Sequence, residues 1–399
     1  MNKNIQLAVA GAVLALSASA NAGIVIPAGE WTLDVNGNVN AFAIMGKAKD
    51  SNSITGGLAN AKDSTGEGDS QGINTGLLPA WLGFTGTTRQ NDTDVSFTIS
   101  MQPSVSANDQ AGDAKTPLFR QSFLTFGDKS WGSIKLGKDI GIFASNAILN
   151  DMTLLGVGAG GAASGGATTL GGIGTGYIYA GWKGQVAYTT PNFNGFQVTL
   201  GITNPNQGLN ETGVTSATNG VYQDRYGLEG QANYSFASDS VSGKIWIGGA
   251  HYKARPTTAI EYTQEATDVG VNLNAGNAGV TAYYYRGEGA GSYMWGTNGA
   301  TATGQTRDSD GGYLQGTYIL PTKTKAGLAY GVSKLDTANG EAKASNTLYS
   351  ENQRVTAGLY HPLTKHLNLV GEFNQVETKA HSGVKNQSST VSLGAILFF

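Results

Sequence analysis

Ser389–Phe399 reads STVSLGAILFF. Val391, Leu393, Ala395, Leu397 and Phe399 fall on one face of an extended chain, while the other face begins with Ser392 and Gly394. Strand side chains point alternately to opposite faces, so this period of two predicts a strand with one apolar and one polar surrounding. The stretch from Trp31 has the same pattern. Trp31, Leu33, Val35 and Val39 share one face, and Asp34, Asn36, Asn38 and Asn40 share the other. A row of Asp and Asn is costly in a dry core but suits a water-filled interior. Two such strands, one near each end of the chain, are expected to pair and close a cylinder, because an open sheet edge in lipid leaves backbone groups unsatisfied.

Between them the alternation recurs. Strands are expected at 31–47, 75–89, 94–104, 117–127, 132–138, 183–190, 196–204, 222–236, 243–254, 264–275, 278–288, 309–319, 324–335, 348–360, 366–378 and 388–399. Short turns join some of them, at 90–93, 128–131, 191–195, 237–242, 276–277, 320–323 and 361–365, and several carry the Asn, Asp, Pro or Gly of tight turns. Long connections fill 48–74, 105–116, 139–182, 205–221, 255–263, 289–308, 336–347 and 379–387. Sorting short turns to one end and long loops to the other predicts an all-β transmembrane antiparallel β-barrel of about sixteen strands, with the long loops outside the cell.

Composition agrees. The chain has no Cys, which excludes disulfides, thiol chemistry and Cys-ligated metal, and Gly reaches 59 of 399 residues. Lys3, the apolar run Leu7–Leu16 and the small-x-small site Ala20-Asn21-Ala22 predict a cleaved secretory leader over 1–22 and a barrel domain over 23–399. Losing Lys3 leaves a mature net charge of about −4. Beyond the leader no apolar run approaches the ~20 residues of a membrane helix. Trp31, Trp81, Trp131, Tyr188, Phe193, Trp246, Tyr318 and Tyr360 sit near strand ends and are expected in girdles at the two interfaces.

The third long connection, 139–182, is the outlier in length, and such a loop is usually functional. It combines an amphipathic start, 140–155, with an uncharged Gly/Ala-rich stretch, 156–176. Flanking it, Leu118–Gly127 (LFRQSFLTFG), Trp131–Lys138 (WGSIKLGK) and Gln185–Phe196 (QVAYTTPNFNGF) resemble the Gram-negative general porins, particularly the neisserial and burkholderial branch. The terminal Phe399 resembles the signal by which outer-membrane barrels are recognised for assembly. The resemblance implies a homotrimer of sixteen-stranded barrels in outer-membrane lipid and lipopolysaccharide, each passing small hydrophilic solutes and ions. It also implies that 139–182 folds into the lumen and narrows it. By position, Arg120, Lys135 and Lys138 match the family's basic wall cluster, with Asp139 and Asp151 as the loop's carboxylates and Asn146 and Asn150 as polar support. Arg120 is expected to face the lumen, since Arg on the lipid face near the midplane costs about 2–4 kcal/mol. Lys135 is inward by parity. Lys138 shares the parity of Ile134 and reaches the lumen only if the strand has ended there. A carboxylate-poor loop facing these cations would shift preference away from cations.

Other function classes find little support. His251, His361, His366 and His381 have neither an HExxH nor a GxSxG pattern beside them, so no catalytic or metal site is expected. Gly156-x-Gly158-x-x-Gly161 lies in a flexible stretch without a strand–turn–helix unit, so no cofactor is implied. A nucleic-acid partner would need a basic patch, which is lacking. A substrate-specific channel would use ordered lumen rows, and Tyr283–Arg286 could form one, but the simpler expectation is a girdle plus one lumen Arg. A surface adhesin or receptor acting through the long loops is neither supported nor excluded.

Overall fold

The computed structural model describes residues 23–103, 118–160, 168–204, 224–255 and 261–399. The expected leader, the loops at 105–116 and 205–221, the middle of the 255–263 loop and Gly161 lie outside the described residues. The strands are β1 (Ile24–Ala28), β2 (Trp31–Ala48), β3 (Asp69–Asn74), β4 (Trp81–Gln90), β5 (Thr93–Gln102), β6 (Leu118–Asp128), β7 (Gly132–Ile140), β8 (Trp182–Thr189) and β9 (Phe196–Thr203). They continue as β10 (Gly227–Ala237), β11 (Val241–Ala254), β12 (Tyr262–Ala275), β13 (Ala278–Glu288), β14 (Asp308–Ile319), β15 (Lys325–Leu335), β16 (Tyr349–Pro362), β17 (Leu367–Ala380) and β18 (Lys385–Phe398).

Each strand pairs antiparallel with its neighbour, and β18 returns to β2 with Ser388 opposite Ala48 and Phe398 opposite Asn38. Phe399 completes the seam, its N–H donating to Gly37 O at 3.0 Å and its carbonyl accepting from Gly37 N at 2.7 Å. β3 and β4 occupy one stave in turn, beside the two halves of β2, and β1 pairs with β2 where β18 has ended. The closed barrel therefore has sixteen staves. Closure removes the free edges that lipid cannot tolerate.

Alternation sorts the two faces. Val39, Leu200, Ile247, Leu314, Leu328 and Leu393 stand exposed on the outer face, while Asn40, Gln231, Asn352, Thr356, Asn374 and Ser392 are buried on the inner one. At the tight turn after β4, Asn91 and Asp92 both take positive φ, 47° and 59°, as a two-residue primed turn requires.

Two expectations need correction here. The strand expected over 75–89 begins only at Trp81, because 75–80 bends into the lumen and β3 takes its place within the expected loop 48–74. Asn38 and Asn40 hold that bend: Asn38 Nδ2 donates to Pro79 O (2.9 Å), Asn40 Nδ2 to Leu78 O (3.0 Å), and Asn40 Oδ1 accepts from Gly76 N (2.9 Å). The girdle is also smaller than expected. Trp131, Tyr188, Phe193 and Tyr318 are exposed, but Trp246 and Tyr360 are buried inside, on inward parity.

The interior is filled by the third loop. It carries helix α1 (Ser145–Leu149) and a 3₁₀ turn, Met152–Leu155. Phe143, Ala147, Val157, Tyr177 and Ile178 are completely buried within one core that includes the wall residues Trp246, Tyr252, Tyr283 and Tyr313. Each such apolar side chain contributes about 1.5–3 kcal/mol to docking the loop. The connection between β13 and β14 folds over it, with Trp295 edge-on to Phe143 at 5.5 Å and Tyr179 N donating to Tyr293 O at 2.9 Å.

Candidate functional site

A loop running through a barrel brings unpaired backbone groups with it, and each must find a partner once water is excluded. Wall side chains supply them. Glu229 on β10 accepts from Ile142 N (2.7 Å) and Phe143 N (3.0 Å) through Oε2, and from the Tyr252 hydroxyl (2.7 Å) through Oε1. Lys183 on β8 forms a buried ion pair with the same carboxylate. Glu372 on β17 repeats the device further along the loop. Its Oε2 accepts from Val157 N (2.9 Å) and Gly158 N (2.8 Å), and its Oε1 from the Tyr360 hydroxyl (2.7 Å). Charge-assisted bonds of this kind are about twice as strong as neutral ones. Gln315 Oε1 accepts from Met152 N (2.9 Å), Ser333 Oγ from Gly176 N (3.0 Å), and the Tyr313 hydroxyl donates to Ala147 O (2.8 Å). Close approach dictates Gly156: a Cβ there would lie 2.0 Å from Glu372 Oε1.

The residues singled out from the sequence fall in several places. Asp151 caps the 3₁₀ turn by accepting from Thr153 N (2.9 Å) and takes a hydrogen bond from the Tyr177 hydroxyl (2.9 Å). Its cationic partner is Arg354 on β16, with Nη2–Oδ2 3.5 Å and both side chains 1% exposed. The expected pairing of Asp151 across an open passage with Arg120, Lys135 and Lys138 is therefore corrected, because the loop presses this segment against the far wall. Arg354 was missed, although the alternation of 348–360 places it inward.

Lys135 and Asp139 are inward and ion-paired with each other, and Gln121 Nε2 donates to Asp139 Oδ1 at 3.2 Å. Asn146 bridges two wall groups, donating to Gln231 Oε1 (2.6 Å) and accepting from Lys244 Nζ (2.7 Å). Asn150 donates to Asn146 O (2.8 Å), and its carbonyl accepts from Gln315 Nε2 (2.7 Å). Arg120 is inward as expected, its guanidinium 5.8 Å from the centroid of the Trp182 ring.

Lys138 is exposed on the outer face, because β7 continues to Ile140 and keeps it on the parity of Ile134 and Leu136. It leaves the candidate set for the lumen. Arg286 is likewise outward beside Asp308, whereas Tyr283 and Tyr285 are the buried, inward members of their run. The expected lumen Arg is thus replaced by two tyrosines packed beneath the loop.

These side-chain anchors lie on β8, β10, β11 and β14–β17, and at the bend over 75–80 Leu77 N donates to Gly156 O (2.9 Å) while Gly76 O accepts from Thr169 N (3.3 Å). On β5–β7 the inward residues Ser96, Thr98, Thr125, Ser133 and Lys135 stay half-buried, with Ser100, Gln102 and Asp139 buried toward the other end, whereas Ser333, Arg354, Thr356 and Asn374 are buried. A polar cavity of about 340 Å³ lies between Asn150–Leu155 and the ends of β12–β15, lined by Asn272, Asn274, Thr317 and Lys325. Around the loop, Asp139, Asp151, Glu229, Asp268 and Glu372 are buried together with the cations Lys183 and Arg354, while Arg120, Lys135, Lys244 and Lys325 remain partly open. Among the described residues no group of three or more His, Asp or Glu could hold a metal ion.

Comparison with known proteins agrees with this architecture. The family model described as Gram-negative porin matches residues 7–381. No curated protein matches by sequence. Among solved structures, the outer-membrane channel DcaP of Acinetobacter baumannii is similar at 18% identity, with 95% of this chain and 100% of that one covered and a TM-score of 0.70. An anion-selective porin from Comamonas acidovorans is similar at 15% identity, covering 93% and 100%, with a TM-score of 0.63. The trimer form of OmpT of Vibrio cholerae gives 13% identity, 92% and 99% coverage and a TM-score of 0.55. A closed barrel with a polar inner wall and a loop seated in its lumen is an outer-membrane diffusion channel, and the chain belongs to the Gram-negative porin family.

Proposed function

We propose that this channel is a general diffusion porin, assembled as a homotrimer, that favours small anions over cations. The water path runs between loop three and the β4–β7 wall, past Arg120 and Lys135 and the paired Asp139. The observation that carries the anion preference is that the carboxylates around the loop are buried, two of them paired with the buried cations Lys183 and Arg354, while four further cations, Arg120, Lys135, Lys244 and Lys325, stay partly open. A unit charge about 7 Å from a permeating ion, at an effective dielectric between water and protein, is worth about 1 kcal/mol, or about fivefold in relative passage. The similar Comamonas protein is an anion-selective porin and the similar Vibrio protein has a trimer form, which supports the proposal. In the same reading, residues 1–22 are removed on export, Phe399 is the element that the barrel-assembly machinery recognises, and the exposed apolar band contacts lipid and lipopolysaccharide.

The test is a planar-bilayer recording under a salt gradient. The expected result is openings in groups of three and a reversal potential of anionic sign, which moves toward zero in Arg120→Gln and Lys244→Gln. A cationic reversal potential in the wild type would refute the charge argument.

A further inference from the structure

Beside Arg120 lies an apolar cavity of about 130 Å³, between loop three and the inward bend at 77–79. Leu78, Ile148, Leu149, Leu170, Trp182 and Met294 supply much of its surface, and among the described residues Arg120 is the one charged residue that lines it. Its guanidinium faces the Trp182 ring, and among the described residues no carboxylate lies within ion-pairing distance of it. The other inward cations are placed elsewhere: Lys135 pairs with Asp139, Lys183 with Glu229, Lys244 with Asn146 and Arg354 with Asp151, while Lys325 lies over the Tyr360 ring beside the polar cavity. A guanidinium in apolar surroundings without a counter-ion favours an anion that brings its own apolar body. Size narrows the class, since an aliphatic cavity of about 150 Å³ accepts benzene.

We infer that this cavity is a solute-binding subsite for small monocarboxylates with an apolar body, such as aromatic or branched aliphatic acids. The carboxylate meets Arg120, and the body lies among Leu78, Leu149 and Leu170. The inference rests on the reading of an open, anion-passing channel and adds to it a discrimination between solutes of equal charge. A bare wall cation attracts acetate as well as benzoate; an apolar cavity beside it separates the two.

The experiment records single-channel chloride current in a planar bilayer while benzoate, acetate or benzyl alcohol is added. Benzoate is expected to interrupt the current at a concentration at least tenfold lower than acetate, and benzyl alcohol to leave it uninterrupted. Arg120→Gln abolishes the advantage of benzoate, and Leu149→Asn shrinks it. Equal midpoints for benzoate and acetate in the wild type overturn the subsite, as does an advantage that survives Arg120→Gln undiminished. Potassium chloride current measured before any addition separates the two readings. A folded protein that passes no ions fails as a channel, and the subsite falls with it; one that conducts but ignores benzoate loses the subsite alone. Should Arg120→Gln not assemble, wild-type crystals grown with 4-bromobenzoate decide the matter. Bromine signal among Leu78, Leu149 and Leu170 supports the site, and its absence there overturns it.

Discussion

Replacing Arg354 by Met tests how the third loop is held. The substitution removes the guanidinium from a pair in which both side chains are 1% exposed, and leaves the Asp151 carboxylate buried with the Tyr177 hydroxyl and Thr153 N–H as its remaining partners. Breaking a buried ion pair from one side costs about 3–5 kcal/mol. Because those two donors stay, the lower end applies, which is still more than a hundredfold in the docked-to-undocked ratio of this segment. Glu229 holds a different stretch, and Gln315 and Glu372 still grip Met152 and Val157–Gly158, so the barrel stays folded while 151–158 loosens between those two holds. Two assays read this. Amide exchange over Asp151–Gly158 should accelerate, and single-channel records should show added open-state noise. The double variant Asp151→Leu with Arg354→Met removes the buried charge and should recover only part of the loss, because an apolar pair is often as stable as a buried ion pair but Thr153 N–H and the Tyr177 hydroxyl lose their acceptor. Wild-type noise and wild-type exchange in Arg354→Met would refute the anchoring role. So would an Asp151→Asn variant that changes ion preference while leaving exchange untouched, for it would put Asp151 in the water path.

Three further outcomes are expected. Gly156→Ala drives a Cβ to within 2.0 Å of Glu372 Oε1, so the donors of Val157 and Gly158 lose their acceptor, and exchange at those two amides should rise ahead of the rest of the loop. Lys138→Gln alters an outer-face residue, so conductance and reversal potential should match the wild type within error; a shift in either would return Lys138 to the lumen. At the outer mouth, Arg307 holds Glu341 at 2.9 and 2.5 Å, and this hydrogen bond lowers the carboxyl below its usual 4.5. A depressed carboxylate adds stability that is fully present above the unfolded value and is lost as pH falls through the folded one. Acid should therefore release the tie between these two loops only below about pH 4.5, seen as faster exchange at Arg307 and Ala338, and Glu341→Gln should remove that pH dependence.

Much of this architecture is legible from alternation because the barrel imposes one rule on every stave. Val391, Leu393 and Leu397 face outward and Ser392 inward, as their period of two requires; the same rule placed Lys135 inside and warned of Lys138, whereas Arg120 was placed by the cost of a guanidinium in lipid. Parity fails where the chain stops being a strand. The bend at 75–80 has no alternation to read, and Asn38 and Asn40, which look like wetted lumen residues, are spent on its carbonyls instead. Parity also cannot tell a lumen that holds water from one that holds protein. Trp246 and Tyr360 have the composition of an interface girdle, yet they lie inside because loop three brings them an apolar partner.

The site was least legible for the same reason. Inward position makes Arg354, Glu229 and Glu372 indistinguishable in sequence from ordinary channel-lining charges. What separates them is the path of the third loop, which decides which inward groups meet backbone N–H donors and which meet water. That path is set by long-range apolar packing of Phe143, Val157 and Tyr177 against the far wall, where no local pattern records it. A carboxylate that meets two buried N–H groups is bound to them by several hydrogen bonds and withdrawn from solvent. In the proposed anion-passing channel, the loop's route then decides which charges are left beside the passing ion. Changes at the anchors and changes at Arg120 should therefore shift selectivity by different routes: the first with loosening of the loop, the second without it.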